Sequence, residues 1–302
     1  MMAASLRTYL ELVRFSHTAF ALPFALMAVI LAARIPGGPA LDAAGWTRRA
    51  GGVLLCMVAA RTAAMAFNRL VDRAIDADNP RTATRHLPRG AVGVEEVFAL
   101  VVGSSAAFIG ATLLFLPNWL PLVLSVPVLA WLLGYSYAKR FTALAHVWLG
   151  AALGLAPVAA WIAIRGEAVL RDPADLLAPL LLGLAVTAWV AGFDCIYACQ
   201  DASFDATRGL HSIPARLGVA GALRVAAGLH VGALVLLAAL TAVVPQLGIA
   251  YRAALVAIAA LLVWEHSLVR PDDLSRVDRA FFTANAAIGL TLLAAVALDC
   301  AV

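Results

Sequence analysis

The chain has 302 residues, of which 63% are hydrophobic and 13% are charged, and its formal net charge is +4. A soluble domain contains about 25% charged residues, so this composition excludes an ordinary soluble protein and indicates an integral membrane protein. All but one of the 22 basic residues are arginines, the exception being Lys139, and they are scattered between apolar segments. This distribution is typical of topology signals and of contacts with anionic lipids or ligands, and it argues against a nucleic-acid partner.

Nine apolar segments are long enough to cross a bilayer as helices, which takes about 20 residues each. They lie at residues 12–34, 50–71, 92–116, 119–137, 143–164, 175–198, 220–244, 248–269 and 279–300. The sequence therefore predicts an all-α membrane protein with nine transmembrane helices, forming a single domain over residues 1–302. It gives no sign of an obligatory protein partner.

Basic residues in the connections between these segments indicate the orientation. With the N-terminus inside, fifteen basic residues fall on the inner side and six on the outer side, while Arg61 lies within a span. The asymmetry predicts a protein of the cell (inner) membrane whose N-terminus is cytoplasmic. The polar stretch that begins at Asn68 would then be cytoplasmic too.

Asn68, Asp72 and Asp76 follow one another at intervals of four residues where the second apolar segment ends. A step of four residues is roughly 400° of helix rotation, so the three side chains lie on one helix face, about a turn apart. Carboxylates beside a membrane span are costly unless they are paired or bind a cation. The connection that follows, up to Gly90, is long and polar, and we expect it to be functional.

A second acidic stretch follows the sixth apolar segment. Asp201 and Asp205 are again four residues apart, and on a continuous helix Asp194 would lie within about 20° of Asp201, with Tyr197 on the same face. Asp72 and Asp201 are 129 residues apart. This spacing predicts a four-helix unit repeated once, plus a ninth helix, around a central cavity.

Two aspartate pairs that converge on one cavity have the chemistry to hold two divalent cations. Ligation by oxygen atoms alone suits Mg²⁺, which binds through one or two carboxylates together with substrate phosphates. A diphosphate is therefore the predicted ligand, and an apolar helix bundle would accept its isoprenoid tail. Basic groups in the inner connections would bind the remaining phosphate oxygens. They are Arg81, Arg85, Lys139, Arg140, His211 and Arg216.

Three motifs lie at the predicted cytoplasmic ends of the spans. Residues 68–82 read N-x-x-x-D-x-x-x-D with a trailing N-P-R-T, residues 134–142 read G-Y-S-Y-x-K-R-F-T, and residues 197–214 read Y-A-x-Q-D-x-x-x-D-x-x-x-G-x-x-S-I-P. These motifs resemble those of the UbiA superfamily of intramembrane aromatic prenyltransferases, and the resemblance covers nearly the whole chain. It is greatest to the 4-hydroxybenzoate polyprenyltransferase-like branch, which includes the menaquinone (futalosine-pathway) type.

The resemblance implies a reaction. A polyprenyl diphosphate would ionise with the help of Mg²⁺, and a ring carbon of an aromatic acid would attack the allylic cation and then lose a proton. The acid would be 4-hydroxybenzoate or 1,4-dihydroxy-6-naphthoate, for ubiquinone or menaquinone biosynthesis. The implied ligands of Mg²⁺, direct or through water, are Asn68, Asp72, Asp76, Asp201 and Asp205.

The resemblance also assigns roles to the remaining site residues. The main diphosphate contacts would be Arg81, Lys139 and Arg140, with Arg85, His211 and Arg216 as weaker ones. The acceptor or the allylic cation would be met by Tyr135, Tyr137, Tyr197, Arg61 and His17. Asp194 would hydrogen bond the acceptor hydroxyl or receive a proton, which adds it to the four motif aspartates as a catalytic candidate. His146, His230 and His266 are interpreted as structural.

Two positions depart from the family pattern. Arg69 stands where many members have an aspartate, so that Asn68 and Asp72 would carry more of the first metal's binding unless Arg69 contacts phosphate itself. His211 stands where many members have lysine, and its charge would depend on pH.

Other functions remain open at this point. Within the superfamily the acceptor could be haem, a chlorophyll precursor or an archaeal lipid. A cation-coupled transporter would also use repeats and intramembrane carboxylates, although here the acids cluster at one face of the membrane. A phosphotransferase acting on CDP-linked lipids is disfavoured because its D-G-x-x-A-R motif is absent.

Overall fold

A computed structural model describes residues 6–14, 18 and 20–301. This part of the chain is helical and contains no β-strand, which confirms the predicted fold class. The helices are α1 (Leu6–Leu12), α2 (Leu22–Arg34), α3 (Ala43–Asp78), α4 (Val94–Ala111), α5 (Leu120–Ala138), α6 (Ala145–Arg171), α7 (Leu177–Ala198), α8 (Ala202–Thr207), α9 (Ile213–Val243), α10 (Ile249–Ser267), α11 (Val277–Arg279) and α12 (Asn285–Ala301).

Eight helical segments of the described residues are long and apolar enough to cross a membrane. They correspond to the second to ninth predicted spans. The first predicted span, over residues 12–34, is shorter in the structure, because α1 ends at Leu12 and α2 has only 13 residues. With α2 as a ninth, shorter apolar helix, the described residues agree approximately with the predicted count of nine. Arg14 has a φ of +47°, which no α-helix can continue through, and Pro23 lies in the first turn of α2.

Two compact units make up the chain. Unit 1 comprises the described residues of Met1–Thr18 with Thr47–Tyr137, and unit 2 comprises those of Ala19–Trp46 with Ala138–Val302. Each unit carries one of the two acidic motifs. The first motif lies on the last turns of α3 in unit 1, and the second follows α7 in unit 2.

The apolar core of unit 1 lies beside the first acidic motif. Leu12 and Val13, at the end of α1, pack with Ala66 and Leu70 of α3 and with Leu87 of the polar loop. This packing fixes the loop that follows α3 and the short helix α1 on the same end of α3. Polar residues of the loop and of α1 are thereby brought together around Asp76.

The core of unit 2 places the second motif through close packing of α6 on α7. Gly150 and Gly154 on α6 face Thr187 and Gly183 on α7 so closely that a Cβ on either α6 glycine would collide with backbone carbonyl oxygens. Small residues at helix contacts allow such an approach in membrane proteins. The packing leaves the first turn of α6 beside the last turns of α7, where Asp194 lies.

Candidate active site

The residues of the first acidic motif lie along one face of the last turns of α3. Asp72 and Asp76 are buried, at 3% and 4% exposure, and Asn68 is half-buried. The Asn68 amide donates a hydrogen bond to Oδ2 of Asp72 at 3.1 Å. The helix continues to Asp78, so both aspartates project from a regular helix, as the four-residue spacing predicts.

Asp76 is paired with arginine. Nη1 of Arg85 donates to both of its carboxylate oxygens, at 2.7 and 2.8 Å, and Nη1 of Arg69 lies 3.9 Å from Oδ2. The Arg69 guanidinium also donates to the Leu12 carbonyl at 3.3 Å. The two arginines therefore neutralise Asp76 and connect α3 to the loop and to α1.

The N-P-R-T segment ends α3 with a compact turn. The Asn79 side chain accepts a hydrogen bond from the Arg81 N–H at 2.9 Å, and the hydroxyl of Thr82 donates to the Asp76 carbonyl at 3.0 Å. Asparagine and threonine suit this position because their short side chains satisfy the backbone groups left at a helix end. Pro80 and Arg81 lie outside this buried turn and are exposed.

A basic cleft of about 520 Å³ opens beside this turn, entirely within unit 1. Its charged lining consists of Arg7, Glu11, Arg14, Arg69, Arg81, Arg85 and His86. Glu11 is held by Arg7 at 2.8 Å and lies 3.4 Å from His86. The hydrogen bond from Arg7 lowers the pKa of Glu11, which keeps this carboxylate charged. The arginines outnumber the single carboxylate, so the cleft suits an anion.

Arg61 and two tyrosines complete the predicted site residues of unit 1. Arg61 donates to the Arg14 carbonyl at 3.0 Å, while its buried Nε makes no hydrogen bond to any described residue. Tyr135 is half-buried, and the exposed Tyr137 ring packs at 6.0 Å from Phe67 on α3. His17, the other predicted acceptor contact, lies outside the described residues.

The second acidic motif does not continue the helix before it. α7 ends at Ala198, a tight 3₁₀ turn covers Cys199–Asp201, and α8 starts at Ala202. The prediction that Asp194 and Asp201 share the face of one continuous helix is therefore wrong, since the rotation per residue changes at this turn. Asp201 and Asp205 are both half-buried.

Asp205 is surrounded by polar groups of unit 2. Ser212, Asp201, Lys139 and His146 all lie close enough to it to interact with its charge. Ser212 also caps α9, because its Oγ accepts from the Ala215 N–H at 3.2 Å. The S-I-P triplet is thus an N-cap followed by proline in the first helical turn, and it brings the cap against the acidic motif.

Asp194 is hydrogen-bonded by His146, although the sequence alone indicates only a structural role for this histidine. Nδ1 of His146, at the start of α6, lies 2.7 Å from Oδ2 of Asp194. Nε2 of the same ring accepts a hydrogen bond from the Ile213 N–H at 3.3 Å. A histidine 48 residues from its partner offers no periodic signal, so the sequence pattern could not reveal this contact.

The other predicted site residues of unit 2 differ in their exposure and contacts. The Lys139 carbonyl accepts from the His211 N–H at 2.7 Å, which ties the S-I-P loop to the K-R segment. His211 and Arg216 are exposed, whereas Lys139 and Arg140 are half-buried. The Tyr197 ring stacks 4.5 Å from Phe281, at the edge of an aromatic cluster formed by Phe20, Phe193 and Phe281.

The donor atoms of both motifs fit Mg²⁺. Each motif offers carboxylate oxygens on neighbouring turns, and Asn68 adds an amide oxygen, which is the hard, oxygen-only chemistry that Mg²⁺ requires. Within the described residues no group of three His, Cys, Asp or Glu side chains is gathered at metal-binding distance. A metal held by one motif would therefore need ligands from water or from substrate phosphates.

Comparison with known proteins gives the family. The family model described as "UbiA prenyltransferase family" matches residues 21–287. The 4-hydroxybenzoate octaprenyltransferase of Nitrosomonas europaea is 31% identical over 251 residues, covering 82% of this chain and 80% of its own. That of Xanthomonas oryzae pv. oryzae is 32% identical over 239 residues, covering 79% of this chain and 76% of its own.

Solved structures agree with these relatives. The apo structure of a UbiA homologue from Aeropyrum pernix K1 has a TM-score of 0.81 and 34% identity, and the match covers 94% of this chain and 98% of that one. A UbiA homologue from Archaeoglobus fulgidus, described as bound to DMAPP and Mg²⁺, has the same fold, with a TM-score of 0.71 at 19% identity over 98% of this chain and 99% of that one. Fold and site define an integral membrane prenyltransferase. The chain belongs to the UbiA prenyltransferase family.

Proposed function

We propose that this protein transfers a polyprenyl group from a polyprenyl diphosphate to an aromatic acid, 4-hydroxybenzoate or 1,4-dihydroxy-6-naphthoate, in ubiquinone or menaquinone biosynthesis. The observation that carries the proposal is the basic cleft beside the buried carboxylates at the end of α3. Such a cleft suits the diphosphate of a lipid substrate. The relatives named 4-hydroxybenzoate octaprenyltransferase support an aromatic acid as acceptor.

The reaction needs a divalent cation, and we assign Mg²⁺ to the oxygen atoms of Asn68, Asp72, Asp76, Asp201 and Asp205. When bound, Mg²⁺ supplies positive charge that stabilises the departing diphosphate. The ion pair with Arg85 already compensates Asp76, so we assign the direct contacts of the first motif to Asn68 and Asp72. Asp76 would bind the metal through a water molecule.

Basic side chains bind the diphosphate oxygens that face the protein. The exposed Arg81, on the rim of the cleft, is the principal contact in unit 1. Lys139 and Arg140 are the principal contacts in unit 2, with His211 and Arg216 as weaker ones. Charge that develops on the leaving diphosphate is stabilised by groups fixed before the reaction, which is the main source of rate enhancement in such sites.

Arg61 binds the carboxylate of the acceptor. Its buried Nε makes no hydrogen bond to a described residue and could donate one to a bound carboxylate. An unsatisfied buried donor is costly, so binding a carboxylate there is favourable. Tyr135, Tyr137 and Tyr197 supply ring faces toward the allylic cation or the acceptor, and Asp194 accepts a proton from the attacked ring.

The site faces the cytoplasm in this proposal, because both motifs lie on the side of the membrane whose connections hold fifteen of the 22 basic residues. The chain would form one domain in the cell (inner) membrane. A prenyl chain would reach the site from the bilayer, and a water-soluble aromatic acid would reach it from the cytoplasm.

An assay of the purified protein with Mg²⁺ and labelled geranyl diphosphate tests the proposal. Parallel reactions offer 4-hydroxybenzoate, 1,4-dihydroxy-6-naphthoate or haem as acceptor. We expect a prenylated product with one of the two aromatic acids. A product with haem alone would move the assignment to another member activity of the family, and release of no diphosphate with any acceptor would contradict it.

A cation-coupled transporter is the alternative from another class. The family assignment and the basic cleft both favour the prenyltransferase, since a cation path has no use for a cluster of arginines. Cation-driven uptake by reconstituted protein, without prenyl transfer, would favour the transporter.

A further inference from the structure

His146 joins three parts of unit 2 through one imidazole ring. The residue begins α6, Asp194 lies on the last turns of α7, and Ile213 begins α9. The ring is buried, with 6% of the side chain exposed, while the Asp194 side chain keeps 19% of its surface open. The histidine therefore supports the aspartate from the protein side and leaves it accessible.

The hydrogen bonds determine which ring nitrogen carries the proton. A backbone N–H can only donate, so Nε2 of His146 must present a lone pair to Ile213. The proton of a neutral ring is then on Nδ1, which donates to Oδ2 of Asp194 at 2.7 Å. The bond occupies Oδ2, and the Asp194 side chain is 19% exposed, so we assign the contact with a ligand to Oδ1.

The ring also fixes the loop that holds the second acidic motif. Ile213 follows Ser212, which caps α9 and lies close to Asp205. Rotation of the imidazole would thus disturb both Asp194 and the Ser212 cap. This linkage gives His146 a fixed orientation, which is what a support for a proton acceptor requires.

We propose that His146 is a positioning residue that fixes the Asp194 carboxylate, through the Nδ1–H bond, to receive the proton displaced from the acceptor ring. The inference rests on the proposed function. It adds to that function a residue of α6 that lies in none of the three family-like motifs.

The transfer breaks one C–O bond and one C–H bond, forms one C–C bond, and leaves the displaced proton on Asp194. As the C–O bond to diphosphate breaks, a pair of ring π electrons forms the C–C bond to the allylic carbon. The electrons of the C–H bond at the substituted carbon then return to the ring and restore its aromaticity. The proton passes to Oδ1 of Asp194, while Oδ2 stays hydrogen-bonded to His146. A carboxylate held in one orientation accepts this proton without first losing rotational freedom.

Two substitutions separate the hydrogen bond from the volume of the ring. His146→Phe keeps the ring and removes both nitrogens, whereas the amide of His146→Asn lies at the position of Nδ1 and can still donate to Asp194. Both are assayed with geranyl diphosphate, Mg²⁺ and 4-hydroxybenzoate, either unlabelled or deuterated at the two carbons beside the hydroxyl-bearing carbon. The readouts are kcat, the KM for geranyl diphosphate, and the isotope effect on kcat.

We expect His146→Phe to lower kcat about tenfold or more, with little change in KM and a larger isotope effect than wild type, because proton loss becomes slower. His146→Asn should stay close to wild type. Should His146→Phe fail to fold, His146→Ala with added imidazole replaces it, and imidazole should restore kcat.

The inference is overturned if His146→Phe has the wild-type kcat, or if kcat falls without any change in the isotope effect. It is also overturned if imidazole leaves the folded His146→Ala variant unrescued. A wild-type protein that prenylates no acceptor would instead refute the proposed function, and this inference with it.

Discussion

One nitrogen of Arg85 holds both carboxylate oxygens of Asp76, at 2.7 and 2.8 Å. This pair joins the last turn of α3 to the polar loop, and the Asp76 side chain is 6% exposed. Arg85 therefore has a structural task in addition to the diphosphate contact that the sequence assigns to it and to the exposed Arg81. The two residues can be separated by experiment.

Arg85→Gln should destabilise the protein because it leaves a buried carboxylate without its main partner. Breaking a buried pair on one side costs about 3 kcal/mol, which corresponds to a fall of roughly 5 °C in the unfolding midpoint. Arg81→Gln is the matched control, since Arg81 is exposed. It should leave the midpoint unchanged and raise the KM for the prenyl diphosphate. Equal midpoints for both variants in detergent would disprove a structural role for Arg85.

Ser212→Ala tests whether the N-cap of α9 also serves the site. Loss of a serine cap costs about 1 kcal/mol, and here it also removes a polar group that lies close to Asp205. Asp172→Ala removes a comparable cap, because Asp172 accepts from the Ala174 N–H at 3.0 Å, yet Asp172 is no part of the site. Both variants should lose similar stability, and only Ser212→Ala should lose prenyl transfer. Activity losses of the same size would show that the cap acts through stability alone.

Arg61→Gln should weaken binding of the aromatic acid. Removing a hydrogen bond to a charged group costs about 1.5–3 kcal/mol, so the KM for the acid should rise by roughly tenfold to a hundredfold. The KM for the prenyl diphosphate should stay the same. Arg73→Gln, at an exposed position on the same helix, is the control. A rise in the KM for the diphosphate instead would place Arg61 at the other substrate.

Glu265 and Asn285 form a buried pair away from the site. The Asn285 amide donates to Oε1 of Glu265 at 3.0 Å, and both residues are completely buried. Among the described residues Oε2 of Glu265 and Oδ1 of Asn285 make no hydrogen bond, and Nδ1 of His230 lies 3.9 Å from Oε2.

Glu265→Gln should be tolerated, because its amide oxygen can still accept from Asn285 and a neutral side chain carries no charge to bury. Asn285→Leu should lower the unfolding midpoint by several degrees, since it strips a buried carboxyl group of its donor. Thermal unfolding in detergent measures both effects. Strong destabilisation by Glu265→Gln would show that a charged Glu265 is required.

Much of the fold follows from the sequence because a bilayer demands long apolar helices, and eight of these agree with the structure. The first predicted span is shorter in the structure, because hydropathy alone does not register the left-handed backbone at Arg14. For the site, the four-residue spacing correctly places Asn68, Asp72 and Asp76 along α3. The helical periodicity does not extend from Asp194 to Asp201, because the rotation per residue changes at the 3₁₀ turn over Cys199–Asp201.

The contacts that complete the site are not periodic. The His146–Asp194 and Arg85–Asp76 pairs join a helix to a distant helix or to a loop, and only folding brings these partners together. Functional residues on loops depend on such tertiary contacts, so a sequence motif identifies candidate site residues but not the residues they contact.

The Mg²⁺ dependence of prenyl transfer in wild type, Asp72→Asn and Asp201→Asn tests the central claim most directly. Wild type should release diphosphate from geranyl diphosphate with Mg²⁺ and an aromatic acid, and should stop when EDTA removes the cation. Each substitution should lower kcat about a hundredfold or more and should raise the Mg²⁺ concentration needed for half-maximal rate. Full activity in EDTA, or wild-type rates from both folded variants, would contradict the claim that the two acidic motifs serve one metal-dependent transfer.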